Sequence, residues 1–521
     1  MAGIDCLPAE INVLTLNCWG IPYVSQDRSS RLEEIGRQIV KRNPQPHIVG
    51  LQECFSKSDF ERIRQETHSI LPYSKQYFAG PLGTGLAFLS RWPIEKTSMT
   101  RYPLNGSPTA LFHGDWYAGK GVAYARVRYG REPDSVIDIF NTHFHAYYPS
   151  NEYLCHRVSQ AWELAKFLQT TSQHRHGRAL VVLLGDLNAE PTSLPYRILK
   201  QLVPDMHDTW VQHSSQYKNT PEHDQGIGNA RREEASIQSG VTYGSPYNTW
   251  MWTRAQRAQY LGRPGTSTSE LVSPAEAGRE QAARIDYVFA NVSPLQPCST
   301  PRYHKETGVD PTTDRLEGDN EAGNSGNICQ GSSVWTVKST KVGMTDRHPT
   351  LGCSLSDHFS VEVTLAFEKI EQGILKNHKP SEEPRGSNPR TITGLKEATS
   401  SETRIQESQG ALIMAKSRHG PDTIELFNKV IGVLDDYSKV LRRCAWWRKA
   451  RLCAAGIVLA GSLVGVWIVG EPGWARFLLA LVGALTSAFA GLDAWSSMSL
   501  DPTEKAALEE LEWEVRNAKG I

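Results

Sequence analysis

Apolar and polar positions alternate in short bursts over the first two thirds of the chain. "INVLTLNCW", from Ile11, is alternating and β-branched, the signature of a strand. "SRLEEIGRQIVKRN" instead sets Leu32, Ile35, Ile39 and Val40 at helical spacing. "HIVGLQEC" predicts a second strand and "SDFERIRQETHSIL" a second helix capped by Ser58. "GTGLAFLSRWPI", "GVAYARVRY", "VIDIFNTHFHA", "ALVVLLGDLN", "ARIDYVFANV" and "FSVEVTLAF" continue the strand series, and "EYLCHRVSQAWELAKFLQTTS" is a long amphipathic helix. Many strands with few helices predict an α+β domain over residues 1–370, two packed sheets with helices outside. Polar stretches at Gln212–Ile237 and His304–Ser333 read as inserted loops.

The pattern changes after Phe367. Residues 371–420 are rich in Ser, Glu, Lys, Pro and Arg, the composition of a disordered linker. Residues 421–451 place Ile424, Phe427, Ile431, Leu434 and Leu441 on one helical face. "LCAAGIVLAGSLVGVWIV" then runs 18 residues without a charge. At ~1.5 Å per residue that is roughly 27 Å, close to the thickness of a bilayer core. "GEPGWAR" turns the chain into a second apolar run, so 452–470 and 474–495 are predicted as a transmembrane hairpin, followed by a cytosolic helix over 496–521. Arg442, Arg443, Arg448, Lys449 and Arg451 crowd the entrance beside Trp446 and Trp447. Basic residues mark the cytosolic side and Trp the interface, which puts both chain ends in the cytosol. The same cations are candidates for attracting anionic phospholipids. Gly461, Gly465, Gly483, Ser487 and Gly491 form small-residue faces, suited to packing within the hairpin or to a homodimer through these helices. Cutting after about Thr423 is expected to release a soluble catalytic domain.

The chain has 521 residues, with Lys plus Arg and Asp plus Glu at 56 each. Neutrality gives no footprint for a nucleic-acid partner. Nine scattered cysteines without a C-x-x-C pair favour a reducing compartment over a disulfide framework. The N-terminus lacks the layout of a secretory signal, so the sequons at Asn105 and Asn291 read as silent.

Polar residues recur where apolar runs stop: Asn17, Glu53, His143, His145, Asp186, Asn188, Asp286, Asp357 and His358. Buried singly, such acids would be costly; gathered into one polar cluster, they are not. A hard carboxylate suits Mg²⁺, and a histidine beside a carboxylate can take a proton from water near neutral pH. His145 is read as structural.

In that order "LNCWG", "LQEC", "NTHFHA", "GDLNAEP", "RIDYVF" and "SDH" resemble the endonuclease–exonuclease–phosphatase superfamily. The resemblance implies a four-layer α/β sandwich of the DNase I-like kind. It also implies Glu53, Asn17 and Asp357 at a Mg²⁺ site, His143 and Asn188 on the phosphoryl oxygens, Asp186 against the attacking water and metal, and His358 as base oriented by Asp286. "LNCWGIPYVSQDRSSRLEEIG", "HGDWYAGKGVAYARV" and "HRVSQAWELAKF" are similar to the neutral sphingomyelinases. With "TYGSPYNTWMW" and the hairpin, the resemblance extends to the fungal inositol phosphosphingolipid phospholipases C. It carries Asp115 and Lys120 as a functional pair on a glycine-rich loop. Either substitution is then expected to impair catalysis with thermal stability nearly unchanged, against the bland reading of a surface ion pair.

The implied activity is hydrolysis of a membrane phosphosphingolipid to ceramide and a phosphorylated head group, at an intracellular membrane such as the endoplasmic reticulum or mitochondrial outer membrane. A membrane-anchored phosphoinositide phosphatase, a nuclease of the same fold, and a catalytically silent scaffold are the alternatives. The residue after "GDLN" is not the Arg expected of inositol 5-phosphatases.

Overall fold

The computed structural model describes residues 7–107, 113–148, 153–172, 178–217, 239–261, 282–293, 333–369 and 420–520. The predicted linker and most of the two predicted loops lie outside the described residues.

Among the described residues, twelve strands and ten helices follow in chain order: β1 (Glu10–Asn17), α1 (Arg28–Lys41), β2 (Ile48–Gln52), α2 (Lys57–Thr67), β3 (Tyr73–Gln76), β4 (Ala87–Ser90), β5 (Ile94–Arg101), α3 (Asp115–Ala118), β6 (Gly121–Arg128), β7 (Val136–His143), α4 (Leu154–Ser172), β8 (Leu180–Asp186), α5 (Leu194–Leu202), β9 (His207–Asp208), α6 (Thr209–Tyr217), α7 (Arg254–Leu261), β10 (Asp286–Ala290), β11 (Ser333–Gly343), β12 (Ser360–Lys369), α8 (Pro421–Ile468), α9 (Gly473–Trp495) and α10 (Asp501–Lys519). The predicted α+β architecture is present as two six-stranded sheets, β11-β12-β1-β2-β4-β3 and β5-β6-β7-β8-β10-β9. Helix α2 begins two residues earlier than expected, with Ser56 rather than Ser58 at its N-cap.

The sheets face each other across Ile11, Val13, Phe88, Ile139, Val182, Leu184 and Val363, all essentially buried. Burial on both faces explains why "LVVLLGD" is a continuous apolar run rather than an alternating one. A polar clasp pins the layers: Gln52 Nε2 donates to Asn141 Oδ1 at 2.7 Å, and Asn141 Nδ2 donates to the carbonyls of Leu51 and Ala87 at 3.0 and 3.1 Å. The sequon asparagines are spent inside as well, Asn105 on the Tyr102 carbonyl and Asn291 on the Val181 N–H.

Within the sheets β1 runs parallel to β2, and β7 parallel to β8. Asn17, Glu53, His143 and Asp186 are therefore delivered to one end of the sandwich, here called the mouth.

The C-terminal region departs from the predicted division. The amphipathic segment and the first apolar run form one continuous 48-residue helix, α8. Its first half is part of the catalytic core. Leu426, Phe427, Val430 and Leu434, with Leu508, Leu511 and Val515 of α10, share one buried cluster with Val158, Trp162 and Leu199. Ile424, predicted on the apolar face, is 41% exposed. Polar contacts reinforce the dock: Trp162 Nε1 and Lys166 Nζ both reach Glu514 at 2.7 Å, and Tyr437 donates to Glu504 at 2.6 Å. A cut at 370 or after Thr423 would strip a face of α4 and α5 that α8 and α10 cover. Contacts also fix direction. Thr423 meets Gln201 at the end of α5, Phe427 meets Trp162, and Tyr437 meets His156 at the start of α4. Helix α4 starts at the mouth, so α8 runs towards the mouth and leaves the domain there.

Beyond the domain, α8 and α9 are long and apolar enough to cross a membrane. They form a hairpin in which Gly465 approaches Leu479 and Gly483 approaches Ser462. Both glycines thus serve contacts inside the hairpin. Arg451 makes a two-pronged ion pair with Asp493 at 2.8 and 2.7 Å, so this member of the basic cluster is already neutralised.

Candidate active site

Asp186 ends a strand whose last step is forced by its neighbour. Gly185 has φ +135°, and a Cβ there would lie 2.0 Å from the Thr142 carbonyl oxygen. Only glycine allows that approach, which turns the Asp186 carboxylate into the mouth. Asn17 then bridges the sheets: its Nδ2 donates to Asp186 Oδ2 at 3.0 Å and Glu53 Oε1 at 3.2 Å, while its Oδ1 accepts the Trp19 N–H at 3.0 Å. With the amide turned this way, Asn17 braces the two carboxylates, and its Oδ1 is engaged by the Trp19 N–H.

Glu53 and Asn188 have φ of 56° and 43°, a left-handed backbone that costs of order 1–3 kcal/mol for such residues. Burial, and then Asp357, push the Glu53 carboxyl up to about 7. Burial and then Asp286 push Asp186 up to about 6, and burial also raises Asp357. Glu53 Oε2 and Asp286 Oδ1 are buried with no hydrogen-bond partner. An all-oxygen carboxylate set with an unanswered oxygen suits a hard divalent cation.

His358 Nδ1 lies 2.8 Å from Asp286 Oδ2, and its Nε2 3.9 Å from Asp186 Oδ2. Burial works against its charge, but Asp286, Asp357 and Asp186 outweigh it, and the imidazole is held well above its ordinary pKa. The Asp186–Asp286–His358 group is compact enough to be a cation site by geometry alone. The His358 Nδ1–Asp286 bond instead gives it the form of a base and its orienter.

His143 is brought in as predicted, with a different partner. Lys120 Nζ donates to His143 Nε2 at 2.8 Å, and Asp186 Oδ2 is 3.3 Å away. Burial, then Lys120 and His358, hold this imidazole well below its ordinary pKa, hence neutral. Lys120 also pairs with Asp115 Oδ1 at 3.3 Å, both side chains about 5% exposed. Asp115 accepts the Ala146 N–H and the Tyr148 hydroxyl. The surface-pair reading is thereby overturned. Asn188 Nδ2 is bound to the Phe144 carbonyl. His145 is fully buried and stacked on Tyr153 at 4.0 Å, the structural place assigned to it.

Arg442, Arg443, Arg448, Lys449 and Arg451 lie outside this cluster, on α8. Two residues escaped sequence reasoning. Arg31, wholly buried, donates to the carbonyls of Gln26, Cys18, Trp19 and Leu355 and lies over the Trp19 ring at 4.7 Å, tying down both loops that flank the site. Tyr243 lays its ring 4.9 Å from His358. Arg31 sits in an amphipathic helix, where an arginine looks solvated; its only sequence signal was adjacency to the buried Leu32 side.

Residues 14–358 match the Endonuclease/Exonuclease/phosphatase family. An inositol phosphosphingolipids phospholipase C of Schizosaccharomyces pombe is 33% identical over 69% of this chain and 69% of its own. The Saccharomyces cerevisiae protein of that name is 28% identical over 98% of this chain and 90% of its own. Human sphingomyelin phosphodiesterase 2 is 35% identical over 39% of this chain, and this chain spans 46% of its length. The mouth cluster lies inside the matched span, and the chain belongs to the Endonuclease/Exonuclease/phosphatase family.

Proposed function

We propose that the protein is a Mg²⁺-dependent phospholipase C-type hydrolase of phosphosphingolipids, working at a membrane on which its C-terminal hairpin holds it. The observation that carries this is the His358–Asp286 pair beside Asp186, in a chain similar over almost its full length to a fungal inositol phosphosphingolipids phospholipase C.

His358 Nε2 and Asp186 Oδ2, 3.9 Å apart, can both reach one water placed beside them, and Asp286 fixes the ring so that Nε2 receives that water's proton. Hydroxide attacks phosphorus opposite the ceramide oxygen. Lys120 and Asn188 stand where donors can meet the non-bridging oxygens, once Lys120 turns from His143. Glu53 and Asp357 would hold the cation, with Asp186 beside it. When bound, the cation supplies positive charge that steadies the phosphoryl oxygens and draws the His358 pKa down into a range where it can act as a base. The bond from phosphorus to the ceramide oxygen breaks as the new one forms, the departing oxygen takes a proton from solvent, His358 returns its own proton to solvent, and ceramide and a phosphorylated head group leave. The return of α10 to the face that α8 covers supports a hairpin entering and leaving on one side of the bilayer, and the cations near Arg442 favour an anionic leaflet.

The test is incubation of the purified protein with labelled inositol phosphosphingolipid, sphingomyelin and phosphoinositide, with and without Mg²⁺. Ceramide release from the sphingolipids alone, abolished by chelation, is the expected result. Release of inorganic phosphate from phosphoinositide without ceramide formation overturns the reading.

A further inference from the structure

Outside the C-terminal region, eight large hydrophobic residues are exposed among the described residues: Tyr23, Val24, Tyr73, Phe78, Leu82, Tyr147, Val211 and Leu351. Their distribution is uneven. Tyr23 and Val24 follow β1 in the loop that begins at Asn17. Phe78 and Leu82 sit in the β3–β4 connection, which returns at Ala87 opposite Leu51, the mouth end of β2. Tyr147 follows β7 just past His143, and Leu351 precedes the mouth end of β12, whose Val361 pairs with Thr15. Six of the eight thus surround the mouth, on four separate loops.

Tyr23 is the sharpest case. It is fully exposed at 104% and has φ 66°. A bulky residue with left-handed backbone is strained, and here no packing repays the strain. Exposed apolar residues scattered singly need no explanation, but a ring of them marks an interaction surface.

Helix α8 says what covers it. From Tyr437, level with the start of α4, the helix continues past the mouth in the same direction. At ~1.5 Å per residue Arg442 is about 8 Å further on and Trp446 about 14 Å. The basic and tryptophan belt therefore lies about one loop's height above the rim.

We infer that the loops carrying Tyr23, Val24, Phe78, Leu82, Tyr147 and Leu351 form a membrane-contacting rim that seats the mouth on the lipid surface in which the hairpin is embedded. This rests on the proposed membrane reading. The rim lowers apolar side chains into the interfacial layer, and a lipid phosphodiester then reaches the site without leaving the bilayer entirely.

The full chain, reconstituted in vesicles containing phosphatidylcholine with a diazirine in its acyl chain, is irradiated and its labelled peptides mapped. Label is expected on peptides spanning 20–27 and 77–86 as well as on the hairpin. The variant Tyr23→Ser/Val24→Ser/Phe78→Ser/Leu82→Ser should lose the rim label and keep the hairpin label. Its turnover of bilayer substrate should fall about tenfold or more, with turnover of a short-chain substrate in solution unchanged. Label confined to the hairpin overturns the inference, as does crosslinking of the rim to a second copy of the chain. Rim label in a protein that hydrolyses no phosphosphingolipid would leave the rim standing and overturn the activity instead.

Discussion

Lys120 Nζ lies 2.8 Å from His143 Nε2 and 3.3 Å from Asp115 Oδ1, a buried ammonium shared between the His143 imidazole and the Asp115 carboxylate. Removing either charged partner strands the other out of water. Lys120→Met or Asp115→Asn should each cost ~3–5 kcal/mol, measured by denaturant unfolding, and lower turnover as well. The double variant should be destabilised by less than the sum of the singles. Full additivity would mean the pair is not coupled.

His358→Ala should reduce kcat by on the order of 10³-fold, the scale of a lost general base. Asp286→Asn should cost less. Asp286 is the foremost group raising the His358 pKa, so its neutralisation should also move the acidic limb of the pH–rate profile to lower pH. An unmoved limb would assign that limb to another group.

Glu53, pushed up to about 7, gives a sign to the pH dependence. A carboxyl whose folded pKa exceeds its unfolded value favours the fold while protonated. In metal-free protein this contribution is present below about 4.5 and is lost as pH rises through about 7, on the order of 3 kcal/mol for an isolated group. Ionised Glu53 is also the form that binds a cation. Mg²⁺ should therefore raise the melting temperature more at pH 8 than at pH 5.5, and Glu53→Gln should abolish that increment while stabilising the metal-free protein at pH 8.

Arg451 and its neighbours should separate in a lipid assay. Arg442→Glu/Arg443→Glu/Lys449→Glu should remove stimulation by anionic vesicles, at about 1 kcal/mol per charge near the surface. Arg451→Glu should instead weaken the hairpin, because Arg451 is bound to Asp493. The Asp493→Arg/Arg451→Glu swap should restore it, read as melting temperature in detergent.

Phe427→Ala should destabilise the catalytic domain by ~3–5 kcal/mol although it lies beyond the linker, because its ring is buried against Trp162. Truncation after Thr423 should yield an aggregation-prone fragment. A chain lacking only 445–495, rejoined by a flexible link, should stay soluble.

The strands that deliver Asn17, Glu53, His143 and Asp186 were legible because each is a buried apolar run stopped by a polar residue. β5 and β11 were not. "IEKTSMTR" is an exposed edge strand with no apolar face to announce it, and β11 abuts a Gly-rich stretch that reads as loop. The His358–Asp286 pairing was legible only through the resemblance, since 72 residues separate the partners. The orientation of the Asn17 amide and the carbonyl grip of Arg31 depend on loop geometry that no local pattern encodes. The dock of α8 on α4 was hidden for a related reason. An amphipathic helix beside a hairpin looks the same whether its apolar face meets lipid headgroups or protein.

The unbroken course of α8 makes the enzyme a rod with a catalytic head at one end. At ~1.5 Å per residue its 48 residues span roughly 72 Å. A head on such a rod cannot turn to another vesicle or lift to a distant one. On the proposed membrane reading it grazes a single leaflet, and the variable that governs its rate is the mole fraction of substrate in that leaflet rather than its amount per volume. One residue inserted near Cys444 would turn the hairpin by about 100° relative to the head, setting α9 out of line with its link to α10 while every side chain of the site stayed in place.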